Sequence, residues 1–264
     1  MARITRRSFV ATVGSAGMVP AAALLAAKTP AVAPQLTSHA PGNSADSPGN
    51  SADSPGNAGS AQTVYLFFST AEALFIEAAC ERLIPADESG PGALGAGVPN
   101  YLDKQLGGAW GAGERLYRSG PWQPGTPSQG YQLPFTPAEL FHTSLRAILR
   151  DLDAQESPFA LMSADNQDAY LESLESGAHD LDGVSSAVFF DVLRNMTVEG
   201  FFSDPVYGGN RDMVAWRMIG FPGAYADYFE TVDRHGVKFE REPMSLAQDG
   251  KGHVHTRPDI PANL

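Results

Sequence analysis

The amino-acid sequence predicts a mainly α-helical protein, an irregular helical domain with long Gly- and Pro-rich loops. Several separate segments carry apolar residues three to four positions apart, which is the period of a helix with one buried face. Helix-start signatures of the type Ser/Thr-x-x-Glu precede two of these segments. Runs of β-branched residues with a period of two, which are typical of strands, are missing.

The first helix is predicted to begin after Ser69. In Ser69-Thr70-Ala71-Glu72, each of the outer two side chains can accept a hydrogen bond from the other residue's backbone N–H. The apolar residues that follow at helical spacing are Leu74, Phe75, Ala78, Leu83 and Ile84. Pro85 ends this helix and opens a loop over residues 85–99, after which Tyr101, Leu102 and Leu106 predict a short second helix.

Three more helices are predicted after an irregular stretch at residues 107–135. Thr136 is the N-cap of the third helix, with Pro137 at its first position and Glu139 completing the capping signature. The fourth helix begins at Ser163 and stops before Gly177, and the fifth runs from Ser185 to Thr197. Residues 236–264 are polar and lack a helical period, which predicts an extended tail.

The N-terminal segment, residues 1–33, is predicted to be a twin-arginine export signal. Arg6-Arg7 precedes a diluted apolar run, and Phe9 supplies the large apolar residue two positions after the second arginine. The run is also long enough for a membrane anchor, but its Gly, Ser and Pro content favours a signal. Two sites fit the small-residue rule for cleavage, Ala31-Val32-Ala33 and Ala21-Ala22-Ala23.

Residues 34–60 form a predicted disordered linker between this signal and a helical domain over residues 61–235. The heptapeptide Pro-Gly-Asn-Ser-Ala-Asp-Ser occurs twice in tandem, at residues 41–47 and 48–54. This linker offers no residue that could anchor a core, so it is expected to stay flexible.

Charge and composition exclude one class of partner. The 264-residue chain is 43% hydrophobic and 18% charged, as in globular proteins, and has a net charge of −12. Four basic and two acidic residues precede position 61, which leaves 14 basic and 28 acidic residues and a net charge of −14 beyond it. Nucleic acid is not expected as a partner, because binding it requires clustered Lys and Arg.

The sequence offers no catalytic, cofactor or metal site. Cys80, the one cysteine, lies in an apolar helical pattern and is expected to be a small buried side chain. Gly90-Pro91-Gly92-Ala93-Leu94-Gly95 matches the dinucleotide-binding spacing but follows a helix instead of a strand, so it is interpreted as a loop. His253-Val254-His255, with Asp249 and Asp259 nearby, has the residue types of a metal site but lies in the predicted tail, where ligands are not pre-organised, so it is interpreted as part of a solvated tail.

The most distinctive stretch covers residues 199–224 and is rich in aromatic and turn-forming residues. Its side chains are of the types that dominate protein–protein interfaces, and they surround a Gly208-Gly209-Asn210 turn. The alternative is that they pack the core of the chain itself. The predicted partner interface consists of Phe201, Phe202, Tyr207, Asn210, Met213, Trp216 and Phe221.

Three sequence blocks resemble the gluconate 2-dehydrogenase subunit 3 family, the small subunits of membrane-bound flavin-dependent dehydrogenases. The first block runs from Glu81-Arg82-Leu83-Ile84-Pro85-Ala86-Asp87-Glu88 to Ala96-Gly97-Val98-Pro99. The second runs from Gly111-Ala112-Gly113-Glu114-Arg115-Leu116-Tyr117 to Tyr131-Gln132-Leu133. The third and most specific runs from Gly200-Phe201-Phe202 to Pro222-Gly223. Together they span about residues 66–235.

The resemblance implies a non-catalytic subunit in a heterotrimer. A large FAD-containing subunit oxidises a sugar, sugar acid or alcohol, and a multihaem cytochrome c attaches the complex to the periplasmic side of the inner membrane. The small subunit itself holds no cofactor and lends its twin-arginine signal to the folded flavoprotein during export by the twin-arginine translocase. An independent enzyme and a free-standing periplasmic binding protein remain as alternatives.

Overall fold

The computed structural model describes residues 64–224, 233–236 and 240–248. The chain divides into two units, Met1–Gln62 and Thr63–Leu264, and the described residues belong to the second. The predicted signal residues Arg6, Arg7 and Phe9, the repeat linker at 34–60 and the His253-Val254-His255 motif lie outside the described residues.

The described residues form a mainly α-helical fold, as the sequence predicts. The helices are α1 (Thr70–Leu83), α2 (Val98–Leu106), α3 (Pro137–Ala154), α4 (Ala164–Glu175), α5 (Ser186–Phe202) and α6 (Val214–Ile219). A two-stranded antiparallel hairpin, β1 (Asp180–Leu181) and β2 (Val184–Ser185), joins α4 to α5. Single turns of 3-10 helix occur at Pro127–Gln129, Phe159–Leu161, Pro205–Tyr207 and Arg211–Met213.

The capping signatures predicted from the sequence are present in the structure. The Thr136 backbone N–H donates to Glu139 Oε2 at 2.8 Å, and the Glu139 N–H donates to Thr136 Oγ1 at 3.2 Å. Ser69 and Glu72 make the same reciprocal pair at the start of α1. Each box satisfies backbone donors that a helix start otherwise leaves without partners.

Helix α5 lies at the centre of the packing and contacts α1, α2, α3, α4 and α6. Aromatic side chains connect it to its neighbours, and the Phe189 ring packs edge-on against Phe141 of α3 at 5.3 Å between centroids. The largest side chains in the core are Phe75, Phe141, Phe189, Phe201, Ile76, Leu102, Leu106, Leu140, Leu145, Ile148, Leu152 and Leu174.

The structure differs from the sequence prediction in the last part of α5, which continues to Phe202 instead of ending at Thr197. Phe201 is buried two helical turns after Leu193, so tertiary packing extends the helix past the glycine at position 200. The hairpin was also not predicted, although Asp182-Gly183 between its strands is a typical hairpin turn. Both turn residues have positive φ, at 55° and 93°.

Candidate partner-binding surface

The loop that follows α5, residues 203–213, has an unusual backbone. Asn210, Asp212 and Met213 have φ values of 44°, 56° and 55°, in the left-handed region that non-glycine residues seldom adopt. Such conformations cost free energy and persist only where the surroundings fix them.

The surroundings that fix this loop are polar groups within the protein. The fully buried Asn210 side chain donates from Nδ2 to the Ser203 carbonyl and accepts from the Ala215 N–H, both at 2.9 Å. Asn100 of α2 donates to the Gly208 carbonyl at 2.9 Å. Gly209 approaches α5 so closely that a Cβ there would lie 2.1 Å from the Gly200 carbonyl oxygen, so a larger residue cannot replace it without a backbone shift.

Helix α6 is attached to α5 through Trp216. Its indole N–H donates to the Phe202 carbonyl at 2.8 Å, which is one of the C-terminal carbonyls that α5 leaves unbonded. The Trp216 ring is buried and meets Phe221 edge-on at 5.3 Å between centroids. The Trp216 ring therefore packs against Phe221 and fixes the position of the Phe221 ring.

Part of the predicted polar tail also lies against this region. The Ala224 N–H donates to the Met244 carbonyl at 2.7 Å, and the Met244 N–H donates to Pro222 at 3.0 Å. Asp204 accepts the Ser245 hydroxyl at 2.6 Å and the Leu246 N–H at 2.8 Å. Residues 240–248 are thus docked on the domain, because a buried carboxylate binds their polar groups.

These elements expose apolar side chains next to a rigid backbone. Tyr207, Phe221 and Leu246 are 50%, 45% and 68% exposed. We call the exposed apolar side chains of this region the loop surface, which comprises Val206, Tyr207, Ile219, Phe221 and Leu246. Large apolar residues exposed on neighbouring elements make this region a candidate interaction site.

The structure divides the seven residues of the predicted interface between the core and the surface. Phe201, Asn210, Met213 and Trp216 are buried within the chain, which is the core alternative that the sequence left open. Phe202 is half-buried, and Tyr207 and Phe221 are exposed.

Sequence reasoning missed Val206, Ile219 and Leu246. Ile219, at the end of a six-residue helix, and Leu246, in a polar tail, have no periodic pattern that could mark them as a surface.

The loop interpretation of Gly90-Pro91-Gly92-Ala93-Leu94-Gly95 is confirmed, since the motif lies between α1 and α2. The Glu81 carboxylate organises this loop by accepting the Ala86 and Leu94 N–H groups, each at 3.0 Å.

Cys80, His142 and His179 are held in structural contacts. Cys80 is buried, as predicted, and burial raises the pKa of its thiol to about 12. His142 contacts Glu72 at 3.2 Å and stacks on Phe67, and His179 contacts Ser173 at 3.2 Å. Within residues 64–224 and the two short segments after them, no group of three His, Cys, Asp or Glu could hold a metal ion.

Among the same described residues, no helix combines the length and the apolar character that crossing a membrane requires.

Comparison with known proteins identifies the family. The sequence profile described as Gluconate 2-dehydrogenase subunit 3 matches residues 70–223. The chain belongs to this family. No curated protein and no solved structure matches the chain.

The subunit 3 match begins at the first residue of α1 and ends at Gly223, so it contains the loop surface except for Leu246. Membership assigns the chain the role of a subunit that associates with other subunits of a dehydrogenase complex. The loop surface combines exposed apolar residues with a backbone that buried contacts hold in place.

Proposed function

We propose that this chain is the non-catalytic small subunit of a periplasmic, FAD-dependent gluconate or sugar dehydrogenase complex. In this proposal it binds the flavoprotein subunit, provides the signal for their joint export and stabilises the mature flavoprotein. FAD and haem c reside in the partner subunits, and a multihaem cytochrome c subunit attaches the complex to the inner membrane. Family membership over residues 70–223 is the observation that carries this proposal.

The loop surface is the proposed contact with the flavoprotein. A pair that is exported together and stays together needs an obligate type of interface, about 2,000 Å² or more, with apolar anchors at its centre. Tyr207 and Phe221 are aromatic, exposed and mounted on a backbone that the Asn210 and Trp216 contacts hold in place. A preformed surface loses less conformational entropy on binding than a flexible one.

The export role is supported by the order of motifs along the chain. Arg6-Arg7 with Phe9 matches the twin-arginine pattern, and residues 34–60 separate it from the domain. Twin-arginine export carries folded proteins, so one signal can serve a bound pair of chains.

Co-purification tests the proposed contact. Tyr207→Ala and Phe221→Ala should each reduce the amount of flavoprotein recovered with the chain, because truncation of an interface anchor costs roughly 2–4 kcal/mol of binding. The matched control is Leu161→Ala, which removes an 82% exposed apolar side chain from the 3-10 turn at Phe159–Leu161. Recovery equal to that of the control in both variants would show that the flavoprotein binds elsewhere.

Fractionation of cells tests the shared signal. Replacing Arg6 and Arg7 together by Lys should leave both this chain and the flavoprotein in the cytoplasm, whereas Arg3→Lys in the same basic region should not. A flavoprotein that still reaches the periplasm would exclude the escort role. If the chain purifies from the periplasm with no other subunit bound, a free-standing binding protein or an independent enzyme becomes the better description.

A further inference from the structure

Arg211 occupies a constrained position in the loop. It lies between Asn210 and Asp212, both of which have left-handed backbones. Its backbone N–H donates to the Ala96 carbonyl at 2.9 Å, so the residue is fixed to the start of the segment that leads into α2. The main chain therefore fixes the position of Arg211, and the side chain is not needed to hold it there.

The Arg211 guanidinium lies over Gly97. Nη2 and Nε are 3.6 and 3.8 Å from the point that a Cβ on this glycine would occupy, and the Gly97 φ of 74° also favours glycine. The side chain is exposed and makes no hydrogen bond or ion pair with the described part of the chain. This is notable in a protein with 30 acidic and 18 basic residues, where acidic partners are abundant.

The guanidinium lines a pocket of about 200 Å³ beside the loop. The other polar groups of this pocket are already engaged. Tyr65 donates its hydroxyl to Glu77 Oε1 at 2.7 Å, and burial together with Glu77 raises the pKa of Tyr65, so this donor keeps its proton. The Asn100 amide donates to the Gly208 carbonyl. Of these polar lining side chains, the guanidinium is the one that makes no hydrogen bond with the described residues.

We propose that Arg211 binds a carboxylate of the flavoprotein subunit, either an Asp or Glu side chain or its C-terminal carboxylate. A guanidinium presents a planar fork of donors that matches the two oxygens of a carboxylate. Strained backbone conformations concentrate at ligand clamps, where the strain fixes the geometry of the binding group. The inference rests on the proposed function, because it deepens the contact at the same loop.

This carboxylate contact fixes the orientation of the two subunits relative to each other. Apolar side chains such as Tyr207 and Phe221 supply affinity but tolerate small shifts, whereas a bidentate ion pair fixes one orientation. The chain is acidic, so like charges repel an acidic partner surface at most other positions. An arginine in the contact region that has no partner among the described residues therefore discriminates strongly between orientations.

Binding measurements on the full chain with the flavoprotein test the proposal. Arg211→Gln should weaken binding by roughly ten- to a hundredfold, because it removes the charge and the fork. Arg211→Lys should lie between this variant and the wild type, since it keeps the charge but not the fork. Arg115→Gln is the matched control, because Arg115 is also exposed and has no partner among the described residues. All three variants should melt at the wild-type temperature.

A zero-length cross-link identifies the carboxylate. In the Arg211→Lys variant, a carbodiimide activates the partner's carboxylate, the new amine displaces the activated oxygen as a urea, and an amide bond forms. Mass spectrometry should find this bond between position 211 and an acidic residue or the C-terminus of the flavoprotein. The wild-type guanidinium should give no such product.

The outcomes separate this inference from the proposed function. If Tyr207→Ala and Phe221→Ala weaken binding while Arg211→Gln binds like the wild type, the carboxylate contact is wrong and the loop surface stands. A bound Arg211→Lys variant without the cross-link also overturns the inference. If the wild-type chain binds no flavoprotein, the proposed function itself fails.

Discussion

Two regions of this subunit use polar side chains to bind backbone groups, but they do so over different distances. At the start of α3, Thr136 and Glu139 satisfy each other's N–H groups within one turn. In the loop after α5, Asn210 connects Ser203 to Ala215 and holds a left-handed backbone. The first arrangement needs four consecutive residues, whereas the second exists only once α5 and α6 are in place.

The arrangement of the loop surface depends on contacts between several elements, whereas the helix cap depends on one element alone. A helix cap stabilises one element and leaves the others unaffected. The loop network joins α2, α5, α6 and the docked segment at residues 240–248, and the exposed aromatic side chains depend on all of them. Stability is local in one region and cooperative in the other.

The largest effect is expected for Trp216→Ala. The variant loses a buried aromatic ring and leaves the Phe202 carbonyl without its donor, so the free energy of unfolding should fall by about 3–5 kcal/mol. Chemical denaturation of the purified chain measures this loss. Tyr207→Ala, which removes an exposed ring from the same region, should change stability by less than about 0.5 kcal/mol. Equal losses in the two variants would contradict the division between core and surface.

The next largest effect is expected for Asn210→Ala, at about 2–4 kcal/mol. The variant leaves the buried Ala215 N–H without an acceptor, which costs about 1–3 kcal/mol, and the part-buried Ser203 carbonyl without its donor, which adds about 1 kcal/mol. Asn210→Gly removes the same hydrogen bonds but relieves the left-handed backbone, so it should be less destabilising than Asn210→Ala. Denaturation curves compare the pair, and a Gly variant that is less stable than the Ala variant would show that the backbone conformation costs nothing.

A smaller effect is expected for Ser245→Ala, because it removes one hydrogen bond to a charged group, worth about 1.5–3 kcal/mol. The loss should concentrate in the docked segment, where hydrogen exchange of the Leu246 N–H should accelerate while the amides of α3 keep their protection. Exchange monitored by mass spectrometry resolves the two regions. Uniform acceleration across the domain would mean that the segment is part of the global folding unit.

The smallest effect is expected for Thr136→Ala, which should cost about 1 kcal/mol through the lost cap. Because the capping box is local, binding of the flavoprotein should stay at the wild-type level. Thr136→Ser retains a hydroxyl and serves as the control. A Thr136→Ala variant that loses the flavoprotein while remaining folded would contradict the conclusion that the cap acts locally and the loop network carries binding.

The helices with capping boxes and regular apolar spacing could be predicted from the sequence because their signals lie within a few residues. Ser69 with Glu72 and Thr136 with Glu139 marked the starts of α1 and α3, and Cys80 was expected inside. The end of α5, the hairpin at Asp182-Gly183 and the short α6 were not predicted. The first and the last of these elements depend on tertiary contacts, such as the burial of Phe201 and the bond from Trp216 to Phe202.

Composition drew attention to the stretch that carries the proposed site, but it did not show which side chains of that stretch are exposed. The sequence by itself determined the helical class, the family blocks and the stretch of residues 199–224 in which aromatic side chains gather, since these follow from residue types and short spacings. Only the tertiary structure decided that Trp216 and Asn210 face inward while Tyr207, Phe221 and Arg211 remain available. The reason is that burial depends on which elements pack together, and residues 96–100 and 244–246 meet this loop from distant parts of the chain.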